Sequence, residues 1–224
     1  MTGVLVLTGV DVEARALARH LGLARAPDRD WPCYRGGRLE IACVGLRAAR
    51  LTERITGSGP APALIVSAGA CGALEPTLAS GALVVPDAVV FDRARIPLDP
   101  LPGLPASGAL LSVASVVGTP EAKTRLWMET GAGAVDMESG PIVAWARTRG
   151  ARVAVVRGVS DTAQEAVPAD LAALVEPDGR VRTASALRAV LARPRAVSDV
   201  IALGRGTAAA LRSVAAALAT LAKS

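Results

Sequence analysis

The chain has 224 residues, a formal net charge of +5, a hydrophobic fraction of 51% and only 2% aromatic residues. That length suits one α/β domain of residues 1–224 and is cramped for two. With so few aromatics the core must be built from Ala, Val and Leu, which favours closely packed helices and buried strands. Arginines are spread along the chain rather than gathered in a basic block with aromatics, which argues against nucleic-acid binding.

The cysteines and the first residues of the chain indicate the cellular compartment of the protein. Cys33, Cys43 and Cys71 lack CxxC spacing, so neither a disulfide framework nor a zinc site is indicated. The opening segment lacks the features of a signal peptide, and the charge-free run 55–74 is punctuated by Gly and Pro. We therefore expect a cytoplasmic protein without a metal.

Apolar and β-branched runs alternate with helical patterns along the chain. The runs predict strands at 4–7, 41–44, 64–68, 83–90, 111–117, 134–137 and 153–159. Helical periodicity places Ala14, Leu17 and Leu21 on one face of a first helix, and Ile142 and Ala146 on a later one. The alternation predicts one α/β domain whose central twisted sheet, mostly parallel or mixed, is flanked by helices. Ligands of such sheets bind beyond the carboxyl ends of the strands.

Two further segments have compositions of their own. The Pro-rich stretch 97–105 is predicted to be a long surface loop that could act as a lid. Residues 170–224 form a basic, helical C-terminal part, which Pro194 and Gly204 should divide into separate helices. Its apolar residues either pack onto the domain or attach the protein to anionic lipid at the inner membrane face. These residues are Val190, Leu191, Val197, Val200, Ile201, Leu211 and Val214.

The first candidate site segment follows the predicted strand 64–68. Its small residues Gly69, Ala70, Cys71 and Gly72 would let backbone N–H groups approach a ligand. The alternative is a tight structural turn.

The second segment, Asp136, Met137, Glu138 and Ser139, ends a strand just before a helix. A carboxylate there can accept hydrogen bonds from the paired hydroxyls of a ribose, and Met supplies a compliant apolar wall. Alternatively, the carboxylates only favour the helix N-terminus through its dipole.

In the third segment an apolar strand delivers Ser160 and Asp161 at its carboxyl end. Burial would favour the protonated form of Asp161, which could then donate a proton to a purine as the glycosidic bond lengthens. Alternatively, Asp161 only caps the next turn.

Taken in order and spacing, the three segments resemble the superfamily of 5′-methylthioadenosine/S-adenosylhomocysteine nucleosidase and the purine nucleoside phosphorylases. Residues 74–78 and 81–85 extend the match of the glycine segment, and Arg157 with Gly158 opens the third motif. Segments 13–15, 119–123, 177–180 and 187–194 are most similar to the hopanoid-associated group, which removes adenine from adenosylhopane. The resemblance implies a phosphorylase/hydrolase-like fold and cleavage between a purine and a ribose.

The resemblance also implies residue roles. Glu138 would bind the ribose hydroxyls, Met137 would pack on the sugar, and Asp161 with Ser160 would contact and protonate the purine. Glu13 would activate water. Val116 and Val117 would lie near the base, where relatives commonly carry an aromatic residue.

The resemblance favours water over phosphate as the second substrate. Hexameric phosphorylases hold phosphate partly through an Arg and a Ser, and the corresponding positions here are Ser67 and Ala70. The missing Arg removes a charge-assisted hydrogen bond to the phosphate dianion. Arg15, Arg47 or Arg93 could restore phosphate binding if they reached the pocket. No cofactor is expected, and the partners are a small purine nucleoside and a second copy in a homodimer. The alternatives are a phosphorylase, a methylthioadenosine or futalosine nucleosidase, and a non-catalytic nucleoside-binding protein.

Overall fold

The central sheet is built around β1 and β5, which are almost entirely buried. The computed structural model describes residues 3–55, 62–167, 175–180 and 196–223. Its strands are β1 Val4–Thr8, β2 Ala24–Arg25, β3 Cys33–Gly36, β4 Leu39–Cys43, β5 Leu64–Ala73, β6 Leu83–Val84, β7 Ala88–Phe91, β8 Ala94–Pro97, β9 Ala109–Ser112, β10 Ala132–Asp136 and β11 Val153–Asp161. Its helices are α1 Asp11–Leu21, α2 Leu51–Arg54, α3 Pro120–Thr130, α4 Ser139–Arg147 and α5 Ala196–Lys223.

The strand order is β2-β3-β4-β1-β5-β10-β9-β7-β8, and β11 pairs with β5 and β6 outside this path. β5 is parallel to β1 and β11 but antiparallel to β10, so the sheet is mixed. β5 is long enough to pair with β1 along its first half and with β10 at its end. The predicted α/β fold with a mixed central sheet is confirmed.

Helices cover both faces of the sheet. On one face α1 and α5 pack through Leu17, Leu211 and Val214, all within one buried cluster. On the other face α4 contributes Ile142 and Val143 to a second cluster. Packing onto the domain is therefore confirmed for Leu211 and Val214. Val190 and Leu191 lie outside the described residues, as do the side chains of Val197, Val200 and Ile201.

Several predicted boundaries were wrong. The run 83–90 is two strands, β6 and β7, because Pro86 between them has no N–H for the ladder. The run 111–117 ends as a strand at Ser112, which pairs with Asp136, the last residue of β10. Gly204 does not divide the tail, since α5 continues through it. Pro194 lies outside the described residues.

The loop predicted at 97–105 begins after Pro97, the last residue of β8, and its residues do not line the cavity at the carboxyl ends of the central strands, which gives no support to a role as a lid. Asp99 exchanges hydrogen bonds with Val153, the first residue of β11, and Leu101 is buried. A nine-residue strand spans about 27 Å. This loop is thus fastened near the amino end of β11, opposite Asp161. No helix within the described ranges is both long and apolar enough to cross a membrane.

Candidate functional site

One cavity of about 290 Å³ lies at the carboxyl ends of the central strands. It is walled by residues from α1, β5, the turn between β10 and α4, the end of β11, and α5. The residues predicted from sequence that line it are Glu13, Ala70, Cys71, Gly72, Val116, Val117, Met137, Glu138, Ser160 and Asp161. Gly69 lies behind this wall, against Arg157 and Glu13. The structure thus brings together residues far apart in sequence, while their chemical roles stay predictions.

The segment from Gly69 to Gly72 was expected to follow the strand 64–68, with a tight turn as the alternative, and both expectations were wrong. Gly69 to Gly72 continue β5 and pair in parallel with β11. The N–H of Ala70 donates to Glu13 Oε1 at 2.8 Å, so it orients a carboxylate instead of pointing at a ligand. Alternation along the strand leaves Cys71 buried and the residues on either side of it partly exposed.

Arg157 is the buried cation that organises the site. Its Nη2 lies 2.7 Å from Asp136 Oδ2, and donates to Ser67 Oγ at 2.8 Å and Ser139 Oγ at 3.1 Å. Burial lowers the pKa of Arg157, but Asp136, Glu138 and Glu13 together raise it above its ordinary value. The guanidinium is therefore a permanent charge held among three carboxyl groups.

Glu13 projects from the first turn of α1 and is only 7% exposed. Burial raises the pKa of Glu13, and the nearby Arg157 and the Ala70 N–H offset that effect only in part. A carboxylate with a raised pKa is a better proton acceptor, as a general base requires.

Glu138 lies in the turn between β10 and α4, yet its side chain does not cap the helix. Its Oε1 accepts a hydrogen bond from the backbone N–H of Arg47 at 3.0 Å. Burial raises the pKa of Glu138 to about 7, against the opposing effect of Arg157. The carboxylate of Asp136, by contrast, accepts from the N–H of Ser139, the first residue of α4, at 3.0 Å, as expected for a carboxylate that favours the helix N-terminus.

The three cavity carboxylates each lie against a glycine. A Cβ on Gly9 would be 2.7 Å from Glu138 Cδ, and one on Gly69 would be 2.7 Å from Glu13 Oε1. A Cβ on Gly72 would be 2.9 Å from Asp161 Oδ2. Since real Cβ atoms do not approach so closely, any side chain at these positions would displace a carboxylate.

Asp161, the last residue of β11, accepts from two side chains. Ser160 Oγ lies 2.6 Å from Asp161 Oδ1, and Lys123 Nζ donates to Oδ2 at 2.7 Å. Sequence reasoning considered burial of Asp161 but missed its contact with the buried side chain of Lys123. The capping alternative receives no support from these contacts, which are both to side chains.

Arg157 and Lys123 carried weak signals in the sequence. Arg157 is a charged residue inside the apolar run Val153–Asp161, which marks it as unusual. Lys123 follows the N-cap Thr119 and Pro120, which predict a helix, but nothing in the pattern says that this helix buries its lysine. None of the described residues that line the cavity is aromatic. Val116 and Val117 therefore have no aromatic neighbour in this wall on which a base could stack.

The charges around the cavity favour a cation. Glu13, Asp136 and Glu138 surround a single guanidinium, so the cluster is net negative whenever two or more of them are ionised. Fixed charges of this kind stabilise positive charge that develops during a reaction. Ser160 and Asp161, which line the same cavity, can hydrogen-bond a planar heterocycle.

Three solved structures share the fold over nearly the whole chain. A mutant of the Helicobacter pylori nucleosidase MTAN with 5′-methylthioadenosine in its active site covers 100% of this chain and 99% of its own, with a TM-score of 0.70 and 14% identity. Arabidopsis thaliana 5′-methylthioadenosine nucleosidase covers 99% of this chain and 96% of its own, with a TM-score of 0.67 and 16% identity. Helicobacter pylori futalosine hydrolase covers 99% of this chain and 97% of its own, with a TM-score of 0.69 and 15% identity.

The sequence comparison is narrower. The family model of the Phosphorylase superfamily matches residues 104–192, which include the segments of Glu138 and Asp161. The comparison with curated proteins found no match. Together these likenesses establish the fold.

Proposed function

We propose that this protein is a purine nucleosidase that hydrolyses the N-ribosidic bond of a 5′-substituted adenosine and releases adenine. The observation that carries the proposal is the single cavity of about 290 Å³ that joins Glu13, Glu138 and Asp161. That volume lies near the lower end of the range for small-molecule sites, about 300–1,000 Å³. The nucleosidases with the same fold support the same class of reaction.

Glu138 binds the two ribose hydroxyls, because an ionised carboxylate has two acceptor oxygens for two neighbouring O–H groups. The Arg47 N–H that donates to Oε1 holds the carboxylate in place. Met137, which also lines the cavity, packs against the sugar. This arrangement fixes the sugar with its anomeric carbon towards Glu13.

Glu13 accepts a proton from the attacking water. Its position is fixed by the Ala70 N–H, and its buried environment makes it a stronger base than an exposed glutamate. As the glycosidic bond lengthens, the ribose gains oxocarbenium-like positive charge. The net negative cluster around Arg157 stabilises that charge.

Asp161 and Ser160 bind the purine, and the carboxylic acid of Asp161 donates its proton to N7 as the glycosidic bond lengthens. Adenine therefore departs neutral and not as an anion, and Asp161 is left as the carboxylate. The water proton taken by Glu13 and the proton at N7 thus lie on opposite sides of the breaking bond. Two carboxyl groups in opposite protonation states resemble the pair used in inverting glycoside hydrolysis.

The charges also favour water over phosphate. A phosphate dianion at the anomeric carbon would lie close to Glu13 and the other buried carboxylates. Arg157 is already paired with Asp136. Arg15 pairs with Asp11 on the exposed face of α1, and Arg93 lies in the exposed β7–β8 hairpin. Arg47 Nη1 donates to the backbone carbonyl of Ala114 at 3.3 Å. Among the described residues that line the cavity there is no arginine.

The 5′ substituent is proposed to be apolar, with adenosylhopane, in hopanoid side-chain biosynthesis, as the specific substrate. Apolar side chains line much of the cavity, including Val10, Val12, Leu46, Val113, Val175 and Leu203. Val12 is 41% exposed, so the opening lies beside the first turn of α1. A hopanoid chain is too large for the cavity and would leave through this opening, towards a lipid surface.

The test measures base release from 5′-methylthioadenosine, adenosylhopane and inosine, each with and without phosphate. We expect adenine and a free sugar, at a rate independent of phosphate. Sugar 1-phosphate as the product would identify a phosphorylase. Preference for a soluble substrate over adenosylhopane would reject the hopanoid assignment while leaving the nucleosidase intact.

Glu138→Gln and Asp161→Asn are the matched variants, because each replaces a carboxyl group by an amide of nearly the same size. Both should lower kcat/KM by at least about 100-fold while the protein stays folded. Tight binding of nucleosides to the wild type without base release would identify a non-catalytic nucleoside-binding protein.

A further inference from the structure

A tight turn late in the chain, residues 176–180, packs against the segment that leads into α1. The turn has hydrogen bonds of its own, since the N–H of Gly179 donates to the carbonyl of Glu176 at 2.8 Å, and the N–H of Glu176 donates to the carbonyl of Arg180 at 2.8 Å. The N–H of Arg180 also donates to Asp178 Oδ1 at 3.0 Å. The turn is therefore a well-defined unit, and the proposed mechanism does not yet use it.

Two glycines in left-handed conformations allow the close fit of this turn. Gly179 has a φ of 90°, and a Cβ on it would lie 2.7 Å from both Cys43 Sγ and the carbonyl oxygen of Gly9. Gly45 has a φ of 84°, and a Cβ on it would collide with the carbonyl oxygen of Pro177. Positive φ and close backbone contact both favour glycine, so a side chain at either position would displace the turn.

Carbonyl groups of the 176–180 turn also accept hydrogen bonds from two helices. Gly179 accepts from the N–H of Asp11, the first residue of α1, at 2.9 Å. The N-cap residue Val10 makes no side-chain capping bond, so this carbonyl satisfies an N–H that would otherwise need water. Asp178 accepts from Nη1 of Arg54, the last residue of α2, at 3.0 Å. The turn is thus joined to α1 and α2 at once.

The segment that the turn contacts also contacts two carboxyl groups of the cavity. Burial raises the pKa of Glu13, and among the opposing effects are hydrogen bonds from the backbone of Val10 and Gly9. A Cβ on Gly9 would lie 2.7 Å from Glu138 Cδ. Gly9 therefore meets the 176–180 turn through its carbonyl and the cavity carboxyl groups through its N–H and Cα. A shift of the turn would move the backbone that orients Glu13.

We propose that the 176–180 turn is a positioning element for the general base, which fixes Glu13 towards the anomeric carbon by docking on Gly9 and Asp11. This inference rests on the proposed function, because it takes Glu13 as the base. Val175, the residue directly before the turn, lines the cavity, so the same docking places part of the cavity wall.

This role separates the rate of bond cleavage from the binding of the base. The turn meets Glu13 through the beginning of α1, whereas Ser160 and Asp161 lie at the end of β11. Asp161 is held there by Ser160 and Lys123. A displaced turn should therefore lower kcat while the affinity for free adenine stays the same.

Gly179→Ala and Gly45→Ala are the decisive variants, because they disturb one contact from its two sides. Each should lower kcat for 5′-methylthioadenosine by about 100-fold, since a shift of about 1 Å in a catalytic group has that effect. Calorimetry should give an adenine Kd within about threefold of wild type, with its stoichiometry as a measure of folded protein. The double variant should be at most about threefold slower than either single variant, because both changes break the same contact.

Gly103→Ala is the control for backbone strain alone. Gly103 has a φ of 74°, and a Cβ on it would meet nothing within 4 Å. Its substitution should lower stability, because the left-handed conformation disfavours a side chain, and leave kcat unchanged. An equal loss of kcat in Gly103→Ala and Gly179→Ala would overturn the positioning role.

A milder pair of variants carries the test if the alanine variants do not fold. Arg54→Met removes the donor to the carbonyl of Asp178, and it also removes a guanidinium 5.4 Å from the Trp31 ring centroid. Arg29→Met is the matched control, because its guanidinium lies 5.6 Å from the same ring. Arg54→Met should lower kcat by about tenfold and Arg29→Met by less than about twofold. Equal rates in the two variants would contradict the proposal.

Amide hydrogen exchange tests the docking without turnover. The N–H of Asp11 should exchange at least about tenfold faster in Gly179→Ala than in wild type, because it loses the carbonyl of Gly179. Unchanged exchange at Asp11, or faster exchange with full kcat, overturns the positioning role and leaves the nucleosidase standing. Parallel losses of kcat and adenine affinity would show a merely structural role and overturn it too. No cleavage of any nucleoside by wild type overturns both proposals.

Discussion

Arg157 Nη2 lies 2.7 Å from Asp136 Oδ2, and the two side chains are 0% and 1% exposed. Removing one partner of such a buried pair leaves the other charge buried, without either a partner or solvent to stabilise it. We therefore predict that Asp136→Asn or Arg157→Met lowers the free energy of unfolding by about 3–5 kcal/mol, measured by chemical denaturation.

The exposed pair of Arg95 and Asp87 is the matched control, because its atoms are 2.9 Å apart but both side chains are more than half exposed. Arg95→Met should cost less than about 1 kcal/mol. Similar losses for the buried and the exposed pair would contradict the organising role of Arg157.

The second prediction concerns the stability of the protein between pH 4.5 and 7. Burial raises the pKa of Glu138 from 4.5 to about 7, so in this range the folded protein binds more protons here than the unfolded chain. Its contribution to stability is complete below pH 4.5 and is lost as the pH rises through 7. The slope is at most about 1.4 kcal/mol per pH unit.

Glu138→Gln cannot titrate, so it should lose this slope and gain stability relative to wild type as the pH approaches 7. Urea titrations of both proteins at several pH values measure the difference. Parallel stability curves from pH 4.5 to 7 would show that Glu138 is not buried as a carboxyl in the folded protein.

The third prediction tests the packing of Glu13 against β5. A Cβ on Gly69 would lie 2.6 Å from Arg157 Nη1 and 2.7 Å from Glu13 Oε1. Gly69→Ala should therefore displace Glu13 and lower kcat by about 100-fold, since a shift of about 1 Å in a catalytic group has that effect. Steady-state kinetics with 5′-methylthioadenosine measures it.

Gly204→Ala is the control for a glycine with open space around it. A Cβ there would meet nothing within 4 Å, and the residue lies within α5. The substitution should raise the free energy of unfolding by about 0.5–1 kcal/mol without changing kcat. Full activity in Gly69→Ala would show that Glu13 is not the base.

The fourth prediction separates the backbone of Arg47 from its side chain. Arg47 has φ 54° and ψ 29°, a left-handed conformation that costs about 1 kcal/mol in a residue with a Cβ. Only its backbone N–H contacts Glu138. Arg47→Gly should keep activity within about twofold and raise the free energy of unfolding slightly.

Arg93→Gly is matched to this change, because Arg93 has φ 63° and lies far along the chain in the β7–β8 hairpin. The two variants should behave alike in thermal denaturation and in activity, with and without phosphate. A selective loss of phosphate-stimulated activity in Arg47→Gly would show that its guanidinium binds phosphate.

Local patterns were enough to predict the fold class. Buried parallel strands are continuous apolar runs, and β1, β5 and β11 were found in this way from composition alone. The pairs Met137 with Glu138 and Ser160 with Asp161 were found because both follow such a run. Strand ends were less predictable, since Gly69 to Gly72 look like a loop until β11 pairs with them.

The electrostatic state of the site depends on residues distant in sequence. Lys123 and Asp161 are 38 positions apart, and Ala70 and Glu13 are 57 apart, so no local pattern reveals that they touch. The packing of α1 and α3 on the sheet decides how deeply each carboxyl group is buried and which charged group lies beside it. Burial and the neighbouring charge together decide which carboxyl groups hold protons. The amino-acid pattern therefore sufficed for the sheet and for most of the cavity residues. Only the packed chain decided their charges, because desolvation and Coulomb energy depend on distances in space.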